Sequence, residues 1–258
     1  MSFDLGLEGK TAVITGGASG IGFATALEFA RQGVHVAICG RSVEKLESAK
    51  RTAQEQNLEL YTESVDVCDA KKLYAFCDHV CEKFGTVDIW MNNAGIAITK
   101  PMLELTDEEW DTVMNLNLKA VFHGCKCAAM KMIEHKHGGV ILNAGSFQAL
   151  MPAAAAVPYG ASKAAVVNMS RTLAGELAAY GIRVLSYIPG VICTPMADEW
   201  MNSTNQIQNI PSERYGRPED LANALVFVAS DRAGYINGVH IDVTGGKFCV
   251  QNPRFSYD

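Results

Sequence analysis

Tyr159 and Lys163 stand four positions apart in Tyr159-Gly160-Ala161-Ser162-Lys163, which on a helix places them on one face, a turn apart. A free phenol titrates at about pH 10, too high for a base at neutral pH, and a neighbouring ammonium favours the phenolate. The pair therefore reads as an acid/base that moves a proton on and off an oxygen. The same spacing occurs on ordinary solvated helix faces, so alone it leaves both readings open.

A second constellation lies near the start of the chain. Thr15-Gly16-Gly17-Ala18-Ser19-Gly20-Ile21-Gly22 separates a β-branched run, Thr11 to Thr15, from an apolar-periodic run, Ile21 to Gln32. In such a turn free backbone N–H groups and the positive end of a helix meet a pyrophosphate. Glycines at 16, 20 and 22 permit the tight turn and the close approach. Gly33 then closes the helix and Val34 to Cys39 supplies the next strand, so the turn opens a complete βαβ unit and reads as a dinucleotide cradle rather than a merely conformational turn.

The end of that second strand judges the adenosine ribose. An acidic residue there accepts from a 2′-hydroxyl, but this chain has Gly40 and then Arg41, whose guanidinium suits a 2′-phosphate. NADP(H) is therefore favoured over NAD(H), the alternative being an Arg41 that only caps a loop. With an oxidised nicotinamide near it as well as Lys163, the Tyr159 phenol would be drawn into a useful range, each pKa unit corresponding to about 1.4 kcal/mol.

Strand and helix patterns alternate through the chain and must position these groups. The spacing predicts helices near Ser42 to Gln56 and Ala70 to Phe84, one long helical stretch from Asp107 to His135, and helices at Tyr159 to Tyr180 and Pro218 to Ser230. Strands are predicted at Leu60 to Asp66, Val87 to Asn92, Gly139 to Asn143, Arg183 to Ile188 and His240 to Val243. This alternation implies an α/β fold, a single Rossmann-type domain over residues 1–258 with a doubly wound parallel sheet and helices on both faces.

Composition narrows the partners. The 258 residues carry a net charge of −6 and no Lys/Arg cluster, which argues against nucleic acid. No apolar run approaches a membrane span, and Met1 to Lys10 carries Asp4 and Glu8 instead of the basic-then-apolar order of a signal peptide, so the expectation is a cytoplasmic protein with no membrane partner. The eight scattered cysteines read as reduced, small buried hydrophobes, and neither they nor His135 and His137 complete a metal set.

With these residues in view the chain resembles the short-chain dehydrogenase/reductase family, from about Leu7 to Phe248. The matches run in order: Thr15 to Gly22, Asp66-Val67, Asn92-Asn93-Ala94-Gly95, Asn117, Ser146, Tyr159 to Lys163, and Pro189-Gly190 with Thr194. The resemblance implies hydride transfer between NAD(P) and a secondary alcohol or its ketone, and a homotetramer or dimer. It implies a catalytic tetrad of Asn117, Ser146, Tyr159 and Lys163, with Tyr159 as acid/base and Ser146 holding the substrate oxygen. Lys163 would bind the nicotinamide ribose as well as tune Tyr159, and Asn117 would hold a relay water. The cofactor would be lined by Gly16, Ser19, Gly20, Ile21, Gly22 and Arg41, with Asp66 and Val67 at the adenine, and by Asn93, Ala94 and Gly95. Pro189, Gly190, Val191 and Thr194 would lie at the nicotinamide end. Gly145, Cys193, Asn237 and Thr244 depart from the commonest family pattern.

Substrate choice falls to positions at the carboxyl ends of central strands: Phe147, Gln148, Leu150 and Met151 after Ser146, and a segment near 194–215 containing Met196, Trp200 and Met201. That segment reads equally as a lid or as a surface helix. No Lys or Arg is clearly placed to hold an acidic substrate, which favours an uncharged or remotely charged ketone, and hydroxysteroid, 3-oxoacyl thioester, polyol and small ketone all stay open. A dinucleotide-sensing regulator without turnover is the alternative class, disfavoured because Tyr159, Lys163 and Ser146 are all retained.

Overall fold

The computed structural model describes residues 4–198, 201 and 207–247. Seven strands, β1 (Thr11–Thr15), β2 (His35–Gly40), β3 (Leu60–Ser64), β4 (Ile89–Asn92), β5 (Gly139–Ala144), β6 (Ile182–Pro189) and β7 (His240–Val243), form one sheet in the order β3-β2-β1-β4-β5-β6-β7. Every pairing is parallel. Among the described residues the α-helices are α1 (Gly20–Arg31), α2 (Val43–Gln54), α3 (Ala70–Phe84), α4 (Asp107–Met114), α5 (Ala120–His135), α6 (Val157–Leu177) and α7 (Pro218–Ala229). Each strand of the doubly wound sheet hands its carboxyl end to the same edge, where ligands bind in such folds.

Successive strand residues feed opposite faces, as the twofold repeat of a strand requires. Ala12, Ile14, Val36, Ile38, Ile89, Met91, Val140 and Leu142 pack with α1, α2 and α7, while Val13, Ala37, Trp90 and Ile141 pack with α3, α5 and α6. Strands buried on both faces read as continuous apolar runs, which is why TAVIT and VILN are so plain in the sequence. Inside the second core a polar chain crosses the sheet. The Trp90 indole donates to Asn92 Oδ1 (2.8 Å), Asn92 Nδ2 to Asn143 Oδ1 (2.8 Å), and Asn143 Nδ2 to Ser170 Oγ (3.0 Å).

The helical stretch expected from Asp107 to His135 is present over those bounds but is not regular: α4 ends at Met114, residues Asn115–Lys119 form a π-helical turn, and α5 resumes at Ala120. Insertion of an extra residue into the helix is invisible to a 3.6-residue periodicity and is common at functional sites. Cys39, Cys77, Cys125 and Cys127 are buried as expected, whereas Cys68 and Cys193 are exposed. Among the described residues no cluster suits a metal ion, and no helix is long and apolar enough to cross a membrane.

Candidate active site

The β1–α1 turn is built for close approach. Gly16 and Gly20 have φ of +65° and +54°, in the left-handed region open to glycine, and a Cβ on Gly22 would stand 2.5 Å from Asn93 Nδ2 and 2.6 Å from Gly16 O. The Thr15 hydroxyl accepts from the backbone N–H groups of Asn93 (3.0 Å) and Ala94 (3.1 Å), and Asn93 Nδ2 donates to Gly16 O (3.1 Å), so the turn after β4 is stitched to the turn after β1. Tyr187, buried in β6, donates its hydroxyl to Asn93 Oδ1 (3.0 Å) and fixes that carboxamide from the far side.

These turns wall a cavity of about 290 Å³. Gly40, Arg41, Asp66 and Val67 line one end, Gly16, Ser19, Gly20 and Ile21 the middle, and Asn93, Ala94, Gly95, Tyr159, Lys163, Pro189 and Thr194 the rest. A dinucleotide fits this donor set: bare backbone at the pyrophosphate position, a guanidinium at the ribose end, and amide and hydroxyl groups at the other. Gly22 lies beneath the turn instead of lining the cavity, and Gly190 and Val191 line a neighbouring one.

That second cavity, about 240 Å³, is lined by Ser146, Phe147, Gln148, Val191, Ile192 and Ala197 and by the small side chains of Ala97, Ala153, Ala154 and Ala156. Ile21, Tyr159, Pro189, Thr194 and Met196 belong to both cavities, so Tyr159 stands at their junction. Among the substrate candidates Gln148 and Met196 line it, whereas Met151 and Leu150, each 45% exposed, do not. Residues 147–149 form a single 3-10 turn, which carries 150 and 151 outward past the cavity rim. Trp200 lies outside the described residues, as does part of the segment near 194–215. Within that segment Thr194, Met196 and Ala197 face the second cavity and Ile210 is buried.

Ser146 caps the 3-10 turn: its Oγ accepts from the Gln148 N–H (3.1 Å), which leaves its proton to donate elsewhere, and it stands close enough to Tyr159 to favour the phenolate. Lys163 is buried and donates to Ala144 O (2.9 Å), with Nζ 5.7 Å from the Tyr159 ring centre. Asn117, in the π-helical turn, donates to Ile96 O (2.8 Å) and Ser162 Oγ (3.2 Å) and accepts from Ile96 N–H (2.9 Å). Ser162 Oγ in turn donates to Tyr159 O (2.7 Å), so the π turn, the loop after β4 and the first turn of α6 are one unit.

The electrostatics differ from the sequence expectation. Burial pushes the Tyr159 phenol above its ordinary value, and the hydrogen bond from Ser146 pulls it back. Lys163 is not among the groups lowering it; burial holds Lys163 itself down at about 8. The lysine thus sits where its own charge is disfavoured, and the group that directly favours the phenolate is Ser146.

Sequence reasoning missed two residues. Tyr187 had a signal in its place at the carboxyl end of β6. Lys247 had none: it follows β7, and its Nζ lies 5.7 Å from the ring centre of Phe147, a wall of the second cavity. Of the departures from the family pattern, Asn237 accepts from Val184 N–H (2.8 Å), and Gly145 is required where it stands, since a Cβ there would lie 2.9 Å from Tyr187 O and 2.6 Å from Ile188 Cδ1.

Residues 10–205 match the family model described as short chain dehydrogenase. The chain belongs to the short-chain dehydrogenase family. It is 36% identical over 242 residues to the 3-oxoacyl-(acyl-carrier-protein) reductase of Thermotoga maritima, covering 93% of this chain and 98% of that protein. It is 37% identical over 246 residues to 3beta-hydroxysteroid dehydrogenase 1 of Eggerthella lenta, covering 93% and 94%. A short-chain type dehydrogenase/reductase from Mycobacterium marinum superposes with a TM-score of 0.92 at 31% identity, covering 96% of this chain and 98% of that one. The family makes this short-chain dehydrogenase an oxidoreductase that uses a nicotinamide cofactor.

Proposed function

We propose that this short-chain dehydrogenase is an NADP(H)-dependent oxidoreductase that interconverts an uncharged ketone and its secondary alcohol, with Tyr159, Ser146, Lys163 and Asn117 as its working residues. The observation that carries the reading is the position of Tyr159, at the junction of the two cavities, with Ser146 beside it on the wall of the second.

Bound in the first cavity, the nicotinamide supplies or takes up the hydride. In reduction, Ser146 and Tyr159 hold the ketone oxygen, and Tyr159 gives it the proton as the oxygen becomes basic. In oxidation the same phenolate takes the alcohol proton. Lys163 would bind the ribose hydroxyls with the ammonium that Ala144 O already orients, and Asn117 fixes the loop and helix that hold Lys163 and Tyr159.

Arg41 supports the choice of NADP(H). It lines the first cavity beside Gly40, and it forms none of the salt bridges among the described residues, so its guanidinium is available to a 2′-phosphate. The apolar walls of the second cavity support an uncharged substrate. Exposed Trp110, Phe122 and Met130 on α4 and α5, with Phe227, Tyr235 and Val239 at the other end, support assembly into a homotetramer.

The test follows reduced-nicotinamide absorbance with NADPH or NADH and a panel of steroid, acyl-thioester, hydroxylated and small cyclic ketones. Consumption of NADPH in preference to NADH, lost in Tyr159→Phe while NADPH still binds, is the expected result. NADPH binding without turnover of any ketone would overturn it.

A further inference from the structure

The second cavity contains a polar group that the reaction described above does not use. Gln148 lines it, yet the Gln148 carboxamide oxygen is buried without a hydrogen-bond partner. A buried carbonyl that accepts nothing is uncommon in a folded protein and calls for a physical reason. Core packing does not supply one here, because the residue lies on a cavity wall and is only partly buried. The same residue is tied to the reacting centre: its backbone N–H donates to Ser146 Oγ (3.1 Å). The side chain therefore starts two residues from the hydroxyl that holds the substrate oxygen, on the same 3-10 turn.

The other walls sharpen the point. Ala97, Ala153, Ala154, Ala156, Val191 and Ile192 offer no hydrogen bonds from their side chains, and the polar side chains besides Gln148 are the hydroxyls of Thr99, Ser146, Tyr159 and Thr194. Among the described residues that line the cavity no side chain is charged. A neutral donor does find an acceptor, since the last torsion of a glutamine is soft and turns the carboxamide oxygen toward a group in the cavity.

We propose that Gln148 is a specificity-determining residue: its carboxamide oxygen accepts a hydrogen bond from a second hydroxyl of the substrate, on a carbon next to the reacting one. The substrate class is then a hydroxyketone and the corresponding vicinal diol. The inference rests on the ketone/alcohol reading of the site and deepens it. Discrimination comes from the acceptor itself, because a site that holds an unpaired acceptor penalises the analogue that cannot donate to it.

The experiment compares 2-hydroxycyclohexanone, as separate enantiomers, with 2-methoxycyclohexanone and cyclohexanone, measuring kcat/KM with NADPH. The methyl ether keeps the electronic influence of the oxygen, loses the donor and adds one methyl group. In the wild-type enzyme one hydroxyketone enantiomer is expected to exceed the methyl ether by about tenfold, the worth of one neutral hydrogen bond to an otherwise unpaired buried group. In Gln148→Met, close in shape but without the acceptor, the ratio is expected to fall to near one whatever the absolute rate. Gln148→Glu, which keeps an acceptor, is expected to retain it. A wild-type ratio at or below one while the ketones are reduced overturns the proposal and leaves the parent reading standing, and it requires no variant to fold. A ratio that survives in Gln148→Met also overturns it. Absence of turnover with every ketone of the wider panel overturns the parent reading, and this proposal with it.

Discussion

Lys163 Nζ donates to the carbonyl oxygen of Ala144, the last residue of β5, at 2.9 Å. The bond anchors α6 to β5 and places the ammonium on the wall of the first cavity. It does so at an energetic cost, because the amine is buried and the charged form is disfavoured there.

The cost sets a pH dependence of stability. Lys163 is held at about 8 in the folded chain, below the value of about 10.4 expected in the unfolded one. Between these values the unfolded chain binds the extra proton, so stability rises with pH there; the penalty is fully present below about pH 8 and is relieved toward pH 10. Lys163→Met is expected to stabilise the fold at pH 7 by roughly 1–3 kcal/mol, less above pH 10, while losing turnover. Denaturant unfolding at the two pH values checks this, and a difference independent of pH counts against it.

Tyr159→Phe removes the hydroxyl that carries the proton. Turnover is expected to fall by about a thousandfold with NADPH affinity little changed, as fluorescence titration of the cofactor would show.

Ser146→Ala removes the hydrogen bond that pulls the Tyr159 phenol down, leaving the upward push of burial unopposed. Alcohol oxidation needs the phenolate, so the rising limb of its pH–rate profile is expected to move to higher pH. A loss of rate with the limb unmoved would separate substrate holding from phenol tuning.

Arg41→Ala is expected to raise the KM for NADPH by about tenfold or more and to leave that for NADH nearly unchanged, since only the former carries the 2′-phosphate. Equal effects on the two cofactors would remove Arg41 from this role.

Asn117→Ala strips the backbone N–H and C=O of Ile96 of their partners and leaves Ser162 without its donor. A loss of roughly 2–4 kcal/mol in unfolding free energy is expected from thermal or chemical melts, with slower turnover in what remains folded.

The fold was legible because both periodicities are strong. Strands such as Val13-Ile14 and Ile141-Leu142 are apolar on both faces, and helices such as α2 and α3 show one apolar stripe. Interruptions were not legible: the π turn at Asn115–Lys119 keeps helical composition throughout, and only its place beside Ile96 and Ser162 distinguishes it. Nor was the outward turn at Leu150 and Met151, which follows from one 3-10 turn after Ser146.

By itself the sequence determined the βαβ order, the glycine turn, Arg41 at the end of β2 and the Tyr159/Lys163 spacing, because local steric rules and side-chain chemistry act within a few residues. Only the tertiary structure decided which groups meet. Tyr187 reaches Asn93 across 94 positions of chain, Lys247 comes to lie against Phe147, and the Gln148 oxygen is left buried beside Ser146 without a partner. Tertiary packing likewise decided the titration of the site, since how far water is excluded from Tyr159 and Lys163 depends on everything packed around them and not on the three residues between them.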